Sequence, residues 1–204
     1  SNLIILEIFV EMKFGKKYIA ITAVVILLII PIFFGIYIDF LIVRFFSLEV
    51  VLLFLVGFVF LLGLGKIIEV LLYNDRSREK MKQNDVVNGL LNEKNIIVLL
   101  VFFTLIMIME ELIFRYYLIG LLLNQLMIGI MFSIILSSII FSISHIHIWF
   151  RYRDIRITVS YFISSFLLGI YNAFALLTLG IFACIIIHTV LVFVSYYNLY
   201  KKLS

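Results

Sequence analysis

The sequence is poor in the residues that build and solubilise a globular fold. Its 204 residues include one cysteine, one proline, three histidines and only 14% charged residues. A single cysteine excludes a disulfide within the chain, and the single proline, Pro31, is expected to kink one apolar segment and no other. Because 65% of the residues are hydrophobic, the composition excludes a water-soluble protein and predicts an all-α, polytopic membrane helix bundle.

Six segments have about the 20 mostly apolar residues that a membrane-spanning helix needs. They run from Tyr18 to Ile38, Phe46 to Leu64, Ile96 to Leu118, Met127 to Phe150, Ile157 to Phe174 and Leu176 to Tyr197. The fifth is the least regular, because its serines, Gly169 and Asn172 are compatible with a shorter, tilted or re-entrant helix. We expect three parts: a lead-in and two spans at 1–65, a polar and partly helical connector at 66–95, and a four-helix core at 96–204.

The basic residues predict the orientation of these spans, since lysine and arginine concentrate in cytoplasmic loops. With a cytoplasmic amino terminus, every basic residue except Arg44 and Arg115 falls in a cytoplasmic segment. This distribution predicts six spans with both termini in the cytoplasm. The net charge of +4 is spread over loops next to the membrane, which favours contact with anionic lipid headgroups over binding of nucleic acid.

Ionisable residues interrupt three of the apolar segments. Glu110, Glu111 and Arg115 lie in the third span, His145 in the fourth and His188 in the sixth. Such groups cost about 3 kcal/mol each to insert and usually face a bundle interior or a wet cavity. We therefore expect one buried reaction centre.

Helical spacing divides the roles of the two glutamates. Glu111 and Arg115 are separated by four residues and so share a helix face, on which they can form a buried ion pair. Glu110 points about 100° away from Glu111 and is expected to face the cavity. A carboxylate near an imidazole is the combination that a general base requires.

Non-catalytic interpretations of the same residues are also open. An acid pair with an arginine can lock neighbouring helices together, and an isolated histidine in an apolar helix is often a hydrogen-bonded packing residue. A transporter or channel would place polar residues along a path from one side to the other, whereas here they cluster in the core. His147 follows His145 by two residues, on nearly the opposite helix face, and is expected to be interfacial.

Three motifs occur in order: Glu110-Glu111-Leu-Ile-Phe-Arg115, Phe141-Ser-Ile-Ser-His145, and His188 in a later span. This pattern resembles the CAAX prenyl protease and bacteriocin-processing family of intramembrane endopeptidases, with its EExxxR, FxxxH and HxxxN motifs on four core helices. The similarity covers about residues 96 to 197. It implies a location in a membrane, and we expect the plasma membrane of a prokaryote.

The resemblance implies that Glu110 and His145 activate a water molecule that attacks a peptide carbonyl, while His188 helps to stabilise the oxyanion. Glu111 and Arg115 would be supporting residues. Such hydrolysis needs no covalent intermediate and no metal. The partners implied are a peptide or lipidated protein substrate and membrane lipids; no residue indicates prenyl recognition or an oligomeric state.

The chain departs from the family pattern at the last motif, where the asparagine is replaced by Val192. Because valine donates no hydrogen bond, and one oxyanion donor is typically worth about 10²- to 10³-fold in rate, another group must substitute or activity is weak. Thr189, Asn172 and Asn198 are candidates, none at the matching spacing. A second hypothesis is therefore a non-catalytic scaffold or regulator of the same family.

Two other chemistries are consistent with the sequence. Glu110, His145 and His188 could together hold zinc, because two histidines and a carboxylate are an accepted catalytic ligand set. Cys184, one helical turn before His188, is a candidate thiol nucleophile, although a lone cysteine in a membrane helix is usually a packing residue.

Glu110 and His145 can share a site only if they lie at similar depths in the membrane. With a rise of 1.5 Å per residue, Glu110 lies about 21 Å and His145 about 8 Å from the predicted cytoplasmic ends of their spans. Contact between them therefore requires tilt or a break in a helix.

Overall fold

A computed structural model describes residues 2–41, 47–92 and 96–203, and gives only the backbone of residues 2–17, 92 and 96–98. Within these ranges the chain forms helices and short connections, with no β-strand. The predicted start of the second span at Phe46, and the basic residues Arg44 and Lys94, lie outside the described residues.

Ten α-helices follow one another along the described chain. They are α1 (Asn2–Phe33), α2 (Leu48–Leu72), α3 (Asp75–Met81), α4 (Asp85–Asn92), α5 (Ile96–Glu111), α6 (Leu118–Gly120), α7 (Ile130–Ser144), α8 (His147–Tyr152), α9 (Ile155–Leu179) and α10 (Ile181–Leu203). A 3₁₀ turn follows α1 at Ile38–Phe40, and π-helical turns extend α5 at Leu112–Tyr117 and α6 at Leu121–Gln125. Pro31 lies in the last turn of α1, which ends at Phe33.

Four stretches of the described chain are long and apolar enough to cross a membrane: α2, the α7–α8 stretch Ile130–Tyr152, α9 and α10. The apolar part of α1, Tyr18–Phe33, is shorter. These helices confirm a polytopic membrane helix bundle. The count of six spans stays a prediction, as do the three-part division and the side on which the termini lie.

Helix α9 is the centre of the bundle, in contact with α7, α10 and α2. The span expected to be irregular is thus a continuous helix of 25 residues. Its buried Asn172 donates to the Cys184 carbonyl of α10 at 3.2 Å, and its Phe162 carbonyl accepts from Ser142 of α7 at 2.8 Å. A Cβ on Gly169 would lie 3.0 Å from Cα of Ser138, so this glycine permits the close approach of α7 and α9.

The polar connector packs onto the core. Met81 and Val87 are buried in one apolar cluster with Leu199 of α10. At the surface, Lys80 pairs with Asp154 at 3.3 Å and Arg151 pairs with Asp85 at 2.7 Å. Apolar burial and exposed ion pairs together tie α3 and α4 to the core helices, and the prediction that the connector is partly helical is confirmed.

Helix α2 has a different environment. Ser47 caps its first turn by accepting from the Val50 amide, but none of its residues is buried against the described part of the chain. Its main contact is with α9, where the Tyr171 ring covers Gly57 and the Tyr171 hydroxyl donates to the Phe54 carbonyl. Most of the apolar surface of α2 is therefore left uncovered by the described part of the chain.

Candidate active site

A cavity of about 550 Å³ opens inside the bundle and is bordered by residues of α1, α2, α5, α7, α8, α9, α10 and the connector. Glu110, His145 and His188 all line it. The three residues predicted to be catalytic come from three different helices, and the fold brings them to one space.

The predicted ion pair between Glu111 and Arg115 forms, with Nε of the arginine 3.4 Å from Oε2 of the glutamate. A contact that the sequence did not predict is shorter: His188 Nδ1 lies 2.6 Å from Oε1 of Glu111. Glu111, Arg115 and His188 are each at most 2% exposed. The Glu111 carboxylate therefore links the first and last of the three motifs, and it fixes the ring of His188.

The guanidinium of Arg115 lies flat against another motif residue. Its Cζ is 3.9 Å from the centroid of the Phe141 ring, and none of its three guanidinium nitrogens has a hydrogen-bond partner among the described residues. Its charge is thus balanced by the carboxylate and by the face of the aromatic ring.

Phe141 contacts three of the predicted site residues, although the sequence analysis assigned it no separate role. Its ring contacts both histidines edge-on, with centroid distances of 4.9 Å to His145 and 5.8 Å to His188. It therefore fixes the positions of both imidazoles. The signal in the sequence was its spacing, one helical turn before His145.

His145 lies where helix α7 ends. Its Nδ1 is 2.9 Å from the carbonyl oxygen of Phe141; because a carbonyl can only accept, Nδ1 carries the proton and Nε2 is left as the acceptor of the neutral ring. The chain then turns before α8 begins at His147. This break in the helix is one of the conditions that contact with Glu110 was expected to need.

Glu110 faces the cavity as predicted. Its side chain is 19% exposed, and Oε2 lies 3.8 Å from His188 Nε2, which is too long for a hydrogen bond. His147 also borders the cavity and is exposed; its interfacial position stays a prediction.

The helix that carries the glutamates does not stay regular. The turns at Leu112–Tyr117 are π-helical, so the 3.6-residue period assumed from the sequence fails directly after Glu111. π-Helical turns widen the helix and often occur at functional sites. Arg115 still reaches Glu111 across this segment.

At the position of the motif asparagine, Val192 lines the cavity and packs against Val86, Phe103 and Met107. The three residues considered as replacements do not border the cavity. Asn172 is fully buried against Cys184, the Thr189 hydroxyl is buried without a described partner, and Asn198 is exposed.

The two other chemistries gain no support from the geometry. Among the described residues, no group of three or more His, Cys, Asp or Glu side chains has the arrangement of a metal site. The buried Cys184 thiol donates to the carbonyls of Asn172 and Gly180, at 3.2 and 3.4 Å, and does not border the cavity. His188 bonds to Glu111 instead of this thiol.

Comparison with protein-family models identifies a family for this chain. The family model described as type II CAAX prenyl endopeptidase Rce1-like matches residues 92–194, which include all three motifs. The search of curated proteins and the search of solved structures each gave no match. The family match confirms the resemblance drawn from the motifs, and it supports a membrane-embedded peptidase. The chain therefore belongs to the Rce1-like family of type II CAAX prenyl endopeptidases.

Proposed function

We propose that this protein is an intramembrane endopeptidase that hydrolyses a peptide bond of a membrane-associated protein or peptide with water activated by Glu110 and His145. The observation that carries the proposal is the meeting of Glu110, His145 and His188 in one cavity. The buried pair of Glu111 and Arg115 holds His188 in place.

In the proposed reaction the carboxylate of Glu110 accepts a proton from water, and Nε2 of His145 orients that water by accepting its second hydrogen. The hydroxide adds to the scissile carbonyl. In its protonated form His188 donates from Nε2 to the oxyanion while Nδ1 donates to Glu111. Glu110 then gives its proton to the leaving amine, and the C–N bond breaks. No step uses a metal ion.

Glu111 and Arg115 act on this reaction through His188. The carboxylate accepts from Nδ1 at 2.6 Å, which holds the ring with Nε2 towards the cavity. Arg115 supplies the positive charge beside that buried carboxylate, so an ionised Glu111 is complementary to Arg115 and to the N–H of His188.

The proposed substrate is a peptide or a lipidated protein, and a prenylated carboxyl terminus is the first to test because of the family match. The proposed setting is the plasma membrane of a prokaryote, with both termini in the cytoplasm. Reporter fusions at each terminus would test that topology.

The decisive experiment is a cleavage assay in liposomes with two internally quenched peptides, one farnesylated and ending in a CAAX sequence, the other apolar and unmodified. We expect Glu110→Gln and His145→Gln each to lower turnover by at least about 10²-fold. Glu49→Gln, at an exposed position in the first turn of α2, is the matched control and should retain activity. A chelator should have no effect.

A second candidate function, a non-catalytic scaffold, is favoured by the apolar packing of Val192. The same assay separates the two. Failure of both the wild type and Val192→Asn to cleave either peptide, or equal cleavage by the wild type and Glu110→Gln, would contradict the enzyme.

A further inference from the structure

Two tyrosine hydroxyls, which no motif includes, meet at the wall of the cavity. Tyr161 of α9 and Tyr196 of α10 both line it, and their hydroxyl oxygens are 2.8 Å apart. This is a hydrogen bond between two side chains separated by 35 residues. It places polar hydrogen atoms near Val192, because Val192 and Tyr196 pack against the same apolar cluster.

The position of Tyr196 relates it to the incomplete motif. His188, Val192 and Tyr196 are spaced by four residues along α10, so they share one helix face. Side chains on a helix lean towards its amino terminus, which directs the Tyr196 ring back towards Val192 and His188. Its partner Tyr161 lies next to the other histidine, with a centroid distance of 6.2 Å to His145.

The protons of the pair do not all have acceptors. Two hydroxyls carry two protons, and the bond between them uses one. Asn84 also contacts Tyr196, but its amide oxygen accepts from the Val86 and Val87 backbones, so what it offers the tyrosine is an N–H donor. Among the described residues, the second hydroxyl proton has no acceptor.

We propose that Tyr196 donates this hydrogen bond to the oxyanion of the tetrahedral intermediate and so replaces the amide that Val192 lacks. Tyr161 is a positioning residue that holds the Tyr196 hydroxyl. This inference rests on the proposed peptidase function and adds one catalytic residue to it. The step is donation of a hydrogen bond, without transfer of the proton.

The test uses the full-length protein in liposomes and the peptide whose cleavage depends on Glu110. Tyr196→Phe should lower kcat by about 10²-fold, the loss typical of one oxyanion donor, with little change in KM. Tyr161→Phe should give a smaller loss in kcat. Tyr197→Phe is the matched control, because Tyr197 is the next residue of α10, 38% exposed and stacked on Phe193.

A rescue experiment separates a donor from a structural tyrosine. Val192→Asn introduces an amide at the motif position, so the double variant Val192→Asn/Tyr196→Phe should recover most of the kcat that Tyr196→Phe loses. A tyrosine that only joins α9 to α10 would lower the melting temperature and gain no rate from the amide.

The outcomes distinguish this inference from the proposed function. A wild-type rate for Tyr196→Phe, together with an inactive Glu110→Gln, would overturn the role of Tyr196 and leave the peptidase intact. Absence of rescue by Val192→Asn in a folded Tyr196→Phe protein would also overturn it. Equal activity of Glu110→Gln and the wild type would instead contradict the function on which the inference rests.

Discussion

Replacement of Arg115 by methionine tests whether the buried charges behave as one unit. Arg115 is 1% exposed and Glu111 is fully buried, 3.4 Å apart. Methionine preserves much of the side-chain volume but leaves the carboxylate without its cation. Removing one partner of a buried ion pair costs about 3–5 kcal/mol, because an uncompensated charge stays behind. We expect a loss of that size in the free energy of unfolding.

Two further variants divide this loss into its causes. Arg115→Lys keeps the charge but loses the planar group 3.9 Å above Phe141, and a desolvated cation–π contact is worth about 2 kcal/mol. Glu111→Gln/Arg115→Met removes both charges and leaves an amide oxygen to accept from His188. It should therefore be more stable than Arg115→Met alone.

Reversible unfolding in mixed micelles of SDS and a mild detergent measures these free energies. Arg156→Met, at an exposed position near the start of α9, is the control and should change stability by less than about 0.5 kcal/mol. An Arg115→Met protein as stable as the wild type, or a double variant less stable than the single one, would refute the reasoning about buried charge.

Three smaller predictions concern packing, pH and the thiol. Gly169→Ala should destabilise the protein because its Cβ would lie 3.0 Å from the backbone of α7, whereas Gly63→Ala, with open space around it, should leave the melting temperature unchanged. Although partial burial acts to raise the pKa of Asp154, hydrogen bonds from Lys80 and from backbone amides hold it below its usual range. Its contribution to stability is therefore complete above about pH 3.9 and falls as pH drops through the lower folded pKa; Asp154→Asn should flatten this part of the unfolding profile. Cys184→Ala should retain its cleavage rate, and loss of turnover in a folded protein would revive the thiol mechanism.

The sequence predicted the parts of the site that depend on local geometry. The pairing of Glu111 with Arg115 follows from a separation of four residues, and the cavity-facing position of Glu110 follows from its angle on the helix. Both are local properties of one helical segment, and the Glu111–Arg115 contact is kept although the turns between the two residues are π-helical.

The contacts that join different segments were beyond such a pattern. Glu111 and His188 are 77 residues apart, and their hydrogen bond depends on how α5 and α10 pack. No proline or glycine stands at the π-helical turns after Glu111 or at the end of α7 at His145, so the sequence has no local signal for either. The site therefore differs from the prediction mainly in the contacts that hold the imidazole rings of His145 and His188.

The fifth predicted span is another case in which contacts between segments could not be predicted from a local pattern. Its serines and Asn172 made it look irregular, because polarity in an apolar stretch indicates a short or re-entrant segment when the neighbours are unknown. In the fold Asn172 is fully buried and donates to α10, Ser160, Ser164 and Ser165 line the cavity, and the helix is complete. The polar residues of this span therefore indicate its surroundings inside the bundle, and they do not indicate a shortened helix.

The sparse attachment of α2 has a consequence for handling the protein. A helix that buries no residue in the described chain keeps its place through the Tyr171 contact, through the 2.6 Å pair between Glu69 and Lys202, and through the surrounding acyl chains. Since Gly65 and Glu69 of this helix also border the cavity, extraction into a detergent that strips those acyl chains would loosen one wall of the cavity. Purified preparations should keep an intact cavity best when lipid of native bilayer thickness is co-purified or added back.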